Sequence, residues 1–233
     1  MKKQIAVLVF VSLISLIGCS DDEGQLPTPS QISAELLTIT DLEGEWSESQ
    51  RQIFEKRGNE NPSIDPSVWC AEAREATENL VQLAGDSGAD VEMQYRKTTE
   101  GSRMMRLQAW ANAQAEDYFR DAKDAVRICD GKASTDEFGV TTSTDVIDDR
   151  DIGDESISWV QKTIPPTGTE KNKFETVGRT TIARFGDIIM VLQLGDASFV
   201  GSAELMNEDD WWSIVELAGE KLHQLDEEVS DWW

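Results

Sequence analysis

The spacing of hydrophobic residues predicts three helices, each with one apolar face. Apolar side chains recur every three or four residues after Asp65-Pro66, from about Ala113 to Cys129, and after Asn207. This period is typical of an amphipathic helix that packs against a core. The predicted core-facing residues are Trp69, Ala73, Ala76, Leu80 and Leu83 in the first helix, Ala115, Phe119, Ala122, Val126 and Cys129 in the second, and Trp211, Val215, Ala218, Leu222 and Leu225 in the last.

Strict alternation of apolar and polar residues predicts strands between these helices. Residues 91–96 alternate, and the turn residues Glu100-Gly101-Ser102 separate them from a second strand over 104–110. Two such strands joined by a short turn predict a β-hairpin. Beyond the second helix, residues 156–164 alternate in the same way and end at a pair of prolines.

A second hairpin is predicted further along the chain. The segments 174–184 and 188–194 flank Phe185-Gly186-Asp187, a sequence typical of a tight turn. Residues Ile188–Leu192 are all apolar. We therefore expect this strand to be central in its sheet and covered on both faces.

The order of the elements predicts the fold class. They follow one another as helix, two strands, helix, three or four strands, helix, which favours an antiparallel or mixed sheet with helices laid against it. A chain of 233 residues suits one ordinary domain with tails. We expect an α+β fold with a single domain.

The charge balance excludes one class of partner. The chain carries 45 Asp and Glu residues against 21 Lys and Arg, a formal net charge of −24. A surface this acidic repels phosphate groups, and no basic patch is visible that would overcome the overall field. We expect no binding to nucleic acid, and no sequence motif predicts a cofactor.

The N-terminal segment has the order of a bacterial export signal. Two lysines precede the uncharged stretch Ile5–Ile17, which is shorter than the roughly 20 residues that span a bilayer. The stretch ends in Leu16-Ile17-Gly18-Cys19, which resembles a bacterial lipobox. The resemblance implies a signal peptide over 1–18 and diacylglyceryl attachment to the Cys19 thiol. The alternative is a short hydrophobic helix with an incidental cysteine.

This interpretation divides the mature chain in two. Residues 19–32 are the lipidated cysteine and a polar, proline-containing tether, and residues 33–233 are the folded domain. The domain then stands on the extracytoplasmic face of the cell membrane. Ser20 after the cysteine would allow sorting to the outer membrane in a Gram-negative cell.

Two further cysteines, Cys70 and Cys129, remain in the mature domain. Export places them in an oxidising compartment, where disulfides persist. We expect them to be bonded to each other, and the alternative is two unrelated buried thiols. Because they lie near the start of the first predicted helix and at the end of the second, the expected bond is an inter-helix disulfide.

Several segments lie in the order found in a known family. They are Leu36-Leu37, Thr40-Asp41-Leu42, Trp46, Trp69-Cys70, Asp117-Tyr118-Phe119 to Cys129, the turn at residues 152–156, the paired strands from Val177 to Leu194, and the closing helix. Over about residues 33–226 the chain resembles the extracellular sensor domains of mycobacterial PknH-type serine/threonine kinases and their stand-alone lipoprotein relatives. The resemblance implies an α+β, disulfide-stabilised domain that binds an extracellular ligand in a cleft. The chain departs from the kinase members in showing no kinase domain, no transmembrane helix, and one mature cysteine pair where the kinase sensor has two.

The sequence shows no recognisable catalytic motif. It lacks a Gly-x-Ser-x-Gly elbow, a phosphate-binding glycine loop and a His-Glu-x-x-His pair. His223, the only histidine, is interpreted as a solvent-facing residue of the last helix, and the alternative is a general base. We expect no catalytic residue.

An acidic run around Gly153 contains candidate calcium ligands, Asp149, Asp151 and Asp154. Oxygen-rich loops with a glycine hold calcium in some proteins. The spacing does not match the EF-hand template, because the twelfth position counted from Asp149 is Val160. A solvated acidic loop is the alternative interpretation, and no metal site is predicted.

The tryptophans provide the candidate ligand-binding residues. Two adjacent rings, Trp211 and Trp212, cannot both face inward from one helix, so we expect one at a rim or groove. The candidate site is an apolar cleft between sheet and helices, rimmed by Trp110, Trp159 or Trp212. The alternative places Trp110 and Trp159 in the core, since both sit in patterned elements.

These observations lead to three hypotheses about function. The first is a membrane-anchored extracytoplasmic lipoprotein with a non-enzymatic ligand-binding or sensor-like domain, whose ligand or protein partner lies in the cell envelope. The second is a structural or interaction protein of the envelope without a small-molecule pocket. The third is a hydrolase that uses a carboxylate pair.

Overall fold

The structure is a computed structural model that describes residues 26–54, 87–95, 101–135, 139–147, 150–164, 166, 174–199 and 206–230. The predicted first helix, with Trp69 and Cys70, lies outside the described residues. So do the signal peptide, Cys19 and Asp149.

Eight strands of the described chain form one antiparallel sheet. Their order across the sheet is β1-β2-β3-β8-β7-β6-β5-β4. The strands are β1 (Trp46–Phe54), β2 (Ser87–Tyr95), β3 (Gly101–Ala111), β4 (Lys132–Thr135), β5 (Thr141–Ile147), β6 (Glu155–Ile164), β7 (Phe174–Phe185) and β8 (Ile188–Phe199). Both predicted hairpins are confirmed, as β2–β3 and as β7–β8. In the second hairpin Gly186 takes a φ of 52°, which is why the tight turn contains glycine.

Three helices of the described chain pack on the sheet: α1 (Pro29–Glu35), α2 (Ala115–Ile128) and α3 (Glu208–Ser230). The predicted second and last helices correspond to α2 and α3. Their predicted core-facing residues are all buried. None of the helices in the described ranges combines the length and the apolar character needed to cross a bilayer.

Helix α1 corrects the predicted boundary of the tether. Thr28, which we placed in the tether, is the N-cap of α1, and its side chain and that of Gln31 form a reciprocal capping box. Ile32 is fully buried in the core. The packed domain therefore begins before residue 33, because a capped helix with a buried apolar side chain is part of the fold.

The two faces of the sheet are covered by different helices. The face that carries Met105, Leu107 and Leu192 packs against α1 and α3, and we call it the α3 face. The opposite face, which carries Trp159, Ile182 and Val191, packs against α2, and we call it the α2 face. Side chains alternate between the faces along a strand. The residues of Ile188–Leu192 contribute to both cores in turn and are all fully buried, which confirms a central strand covered on both faces.

The expected inter-helix disulfide is not found among the described residues, and that part of the predicted fold class is corrected. Cys129 is the only cysteine that they include. It is buried and is the C-cap residue that follows α2, so it lies at the end of the helix and not within it. The Cys129 sulfur itself is in a disulfide-bonded form.

Candidate functional site

A groove lies on the α3 side of the sheet, between the loop of residues 150–154, the end of β7 and the outer side of α3. Its volume is about 380 Å³, which is at the lower end of the range for small-ligand sites. The residues that line the groove are Asp151, Ile152, Gly153, Asp154, Phe185, Glu216, Gly219, Glu220 and His223.

Two glycines allow the walls of the groove to come close to its floor. The floor includes Ile152 and Phe185, which are both buried. Gly153 has a φ of 65°, and a Cβ there would collide with the backbone carbonyl of Arg184 and with the Phe185 ring. A Cβ at Gly219 on α3 would lie 3.0 Å from Ile152 and 3.4 Å from Phe185. Loop and helix thus approach the same aromatic ring because neither carries a side chain at that point.

The loop is held against α3 at its first residue. The Nη1 of Arg150 donates to Oε1 of Glu216 over 2.7 Å, and the Arg150 guanidinium lies 4.9 Å from the centre of the Trp212 ring. The Arg150 carbonyl accepts a hydrogen bond of 2.6 Å from the Ser156 hydroxyl. The Arg150 guanidinium therefore contacts α3 in two ways, by an ion pair with Glu216 and by a cation–π contact with Trp212.

The other end of the loop is held by the β7–β8 turn. Oδ2 of Asp154 accepts a hydrogen bond of 2.8 Å from the Gly186 amide and lies 3.0 Å from Nη1 of Arg184. The same guanidinium donates to the Gly186 carbonyl over 3.1 Å. The β6–β7 register, which pairs Glu155 with Arg184, brings these groups together.

The surroundings of Asp226, near this end of α3, disfavour its ionised carboxylate. Burial raises the pKa of the Asp226 carboxyl above its usual range, and the neighbouring charges of Asp154 and Asp187 raise it further, against the opposing effect of His223 and Arg184. A carboxyl group that is partly buried beside other carboxylates is harder to ionise than one in water.

His223 is on the exposed side of α3, as predicted. Its Nε2 lies 3.4 Å from Oε1 of Glu227, and its ring centre is 6.4 Å from that of Phe185. The imidazole thus lies at the mouth of the groove.

The candidate calcium ligands are only partly brought together. Asp151 and Asp154 both line the groove, whereas Asp149 lies outside the described residues. Asp154 is already held by Arg184 and the Gly186 amide. Among the described residues, no three His, Cys, Asp or Glu side chains are placed to hold a metal ion.

The three predicted ligand-binding tryptophans do not meet. Trp110 and Trp159, each 1% exposed, are in the core under α2. Trp212, 2% exposed, belongs to the core on the opposite face. The structure therefore places them in two separate cores and not at the rim of one cleft.

The expectation that Trp211 or Trp212 lies at a rim is wrong. Both are buried, and Trp211 is fully so. Trp211 faces the sheet, and the Arg150 guanidinium covers the Trp212 ring. When a loop packs on a helix, side chains outside its core-facing stripe are buried as well. The helical period of the sequence shows only the stripe that faces the core.

Sequence reasoning missed Phe185, Glu216, Gly219 and Glu220 as residues of a candidate site. Gly219 provides one signal that was present in the sequence, since an isolated glycine inside an apolar helical stripe has a packing or functional reason. The other residues carry no local pattern that separates them from the turn or the solvated helix face to which they belong.

Comparison with known proteins gives a likeness of fold. No family model matches the chain, and no curated protein matches it. Among solved structures, the extracellular domain of PknH from Mycobacterium tuberculosis is similar, with a TM-score of 0.51 and 8% sequence identity over 85% of this chain and 98% of that one. The two share a fold. At this identity the likeness carries no residue role from one to the other.

Proposed function

We propose that this chain is a lipid-anchored extracytoplasmic protein whose folded domain binds a ligand in the groove and catalyses no reaction. The observation that carries the proposal is the likeness in fold to the extracellular domain of PknH. The lipobox-like segment ending at Cys19 supports export and anchoring.

The groove supports binding because of its shape and lining. Its floor is apolar at Ile152 and Phe185, and its walls carry polar groups. A concave surface that joins an apolar floor with a few polar groups is the usual form of a small-ligand site. The ligand is expected to lie along the outer side of α3.

The same geometry disfavours the hydrolase hypothesis. A carboxylate pair that acts as acid and base requires one carboxyl with a raised pKa in the site. Asp226 has a raised pKa but is not among the residues that line the groove. Of the carboxylates that do line it, Asp154 and Glu216 are held by arginine side chains.

Thermal unfolding of the purified mature chain in the presence of small molecules tests the binding role. We expect at least one compound to raise the Tm, because a ligand that binds only the folded state stabilises it. Glu220→Arg, at the exposed wall of the groove, should abolish the shift. Glu228→Arg, on the same helix and outside the lining, should leave it unchanged. Equal shifts in the two variants would place the ligand elsewhere, and no shift with any compound would favour the structural role.

The anchor is tested separately by substitution of the lipobox cysteine. Cys19→Ser should move the chain from the membrane fraction to the soluble fraction and abolish labelling by a radioactive fatty acid. Ser20→Ala keeps the cysteine and should leave both unchanged. Retention of Cys19→Ser in the membrane fraction would contradict lipid anchoring.

A further inference from the structure

We infer that the groove binds a small organic cation, a molecule that carries a protonated amine next to a short apolar group. The inference rests on the proposed function, because it names the class of ligand for that same site. It follows from the charge of the lining, the arrangement of the carboxylates and the nature of the floor.

The lining has an excess of negative charge. Four of its residues are carboxylates, and it includes no lysine or arginine. The nearby Arg150 and Arg184 lie outside the lining, and each is engaged in an ion pair. Within the described residues, Asp151 and Glu220 form no ion pair, so these two carboxylates present uncompensated charge to the groove. A cleft lined by one sign of charge concentrates ligands of the opposite sign.

The carboxylates surround a space and do not converge on a point. No three potential metal ligands of the described chain are placed to hold an ion. A calcium ion needs six to eight oxygens at about 2.3–2.6 Å, whereas this groove has a volume of about 380 Å³. The complementary cation is therefore an extended molecule, one that reaches carboxylates on the loop and on α3 at the same time.

The floor of the groove favours a ligand that carries an apolar group next to its charged amine. Ile152, Gly219 and Phe185, which are largely buried, form an apolar bottom of the groove. Burial of a short hydrocarbon or aromatic group there removes apolar area from water. The ammonium group then meets carboxylates at the mouth, where hydrogen bonds to a charged acceptor are strong.

Binding of three probes of matched size tests the class of ligand. They are phenethylamine, which is cationic, 2-phenylethanol, which is neutral, and 3-phenylpropionate, which is anionic. Of these three probes, calorimetry and thermal unfolding of the mature chain should detect binding of phenethylamine only. Its affinity should fall as the salt concentration is raised. We include 1,5-diaminopentane as a cation without a ring and calcium chloride as a cation without an apolar group.

Single neutralisations of the lining locate the site. Glu220→Gln and Asp151→Asn should each weaken phenethylamine binding about fivefold, the factor that corresponds to one exposed ion pair. Glu228→Gln removes the same charge from α3 outside the lining and should change the affinity less than about twofold. An equal loss of affinity in all three variants would mean that the overall charge of the protein attracts the amine, and would overturn a specific site.

The outcomes separate this inference from the proposed function. Binding of 2-phenylethanol or 3-phenylpropionate, lost in Glu220→Arg, would keep a ligand-binding groove and overturn its cation preference. Stabilisation by calcium that is lost in Asp151→Asn would also overturn it, in favour of a metal ion. Failure of both amines to bind, while another compound binds in the groove, would overturn the inference alone. Failure of every compound would overturn both.

Discussion

The two faces of the sheet differ in how completely they are covered. Helix α2 closes its face over Trp110 and Trp159, which are both 1% exposed. On the α3 face, the loop of residues 150–154 packs beside the helix, through Arg150 on Glu216 and Ile152 near Gly219, and a groove lies between loop and helix. Each core contains four buried aromatic side chains, so the number of aromatics does not distinguish the faces, and the candidate site lies on the α3 side.

This difference separates two kinds of information in a sequence. A tryptophan in a patterned element indicates a core, because its large apolar area is worth most when buried. The groove instead depends on residues that are small or charged, such as Gly153, Gly219 and Glu220. Glycines let backbone segments approach closely, and charged side chains provide charge in the groove. Neither property produces a hydrophobic period in the sequence.

The largest expected effect comes from removing a tryptophan of the closed face. Trp159→Ala should lower the free energy of unfolding by about 3–5 kcal/mol, because it leaves a cavity under α2. Denaturant titration measures this loss. Under conditions where the variant remains folded, the affinity for phenethylamine should be unchanged, since the groove is on the other side of the sheet.

Trp212→Ala is the matched change on the α3 face. We expect a similar loss of stability and, in addition, weaker ligand binding, because Arg150 loses the ring that positions it beside Glu216. The comparison between the faces would fail if Trp159→Ala weakened binding as much as Trp212→Ala.

An intermediate effect is expected at the glycine that brings the loop to the floor. Gly153→Ala should destabilise the fold by about 2–4 kcal/mol, from a left-handed backbone and from crowding of the Arg184 carbonyl and Phe185 ring. Gly131→Ala is the control, since Gly131 has a φ of 66° and a Cβ there would meet nothing within 4 Å. It should cost only the backbone part, about 1–2 kcal/mol.

Denaturant titration of the two glycine variants measures the difference between them. An equal loss of stability would mean that the approach of the loop to Phe185 contributes nothing beyond the turn itself.

The smallest effect concerns the charge behind the groove. Asp226→Asn should raise the Tm at pH 7 by about 1–2 °C, because it removes a carboxylate whose ionised form is disfavoured by burial and by Asp154. The raised pKa means that wild-type stability is fully present below the pKa of the unfolded state and declines as pH rises through the pKa of the folded state.

The gain from Asp226→Asn should therefore disappear near pH 3, where wild type is also uncharged at this position. Thermal unfolding at the two pH values measures it, with Glu228→Gln as a control on the same helix. A gain of the same size at both pH values would show that the effect is not electrostatic.

The strongly periodic parts of the fold could be predicted from sequence. The hairpin around Gly186, the central strand Ile188–Leu192, and helices α2 and α3 each have a local pattern that matches their burial. The edge strand β1 was missed because six of its nine side chains are polar and Trp46 alone is buried, so it shows no alternating apolar face. Strand β4 is also an edge strand and has only four residues.

The groove could not be predicted because its parts are far apart in sequence. The loop, Phe185 and α3 meet only through the β6–β7 register and the packing of α3 on the sheet. Gly219 was the one local signal. The pattern of α3 itself was right, but it did not show that Arg150 would add a layer over Trp212.

If the chain is anchored at Cys19 as proposed, the position of the α1 cap limits the distance between the domain and the membrane. Since Thr28 is the N-cap of α1, eight residues separate the start of this helix from Cys19, and a fully extended chain spans at most about 3.6 Å per residue. Under the proposed anchor, the first turn of α1 therefore lies within about 30–35 Å of the lipidated sulfur. An anchor at Cys19 would therefore confine the domain to a layer about as thick as the domain itself. Its ligand would be met in that layer, at the surface of the membrane, and the approach of an amine there would depend on the charge of the surrounding headgroups as well as on the groove.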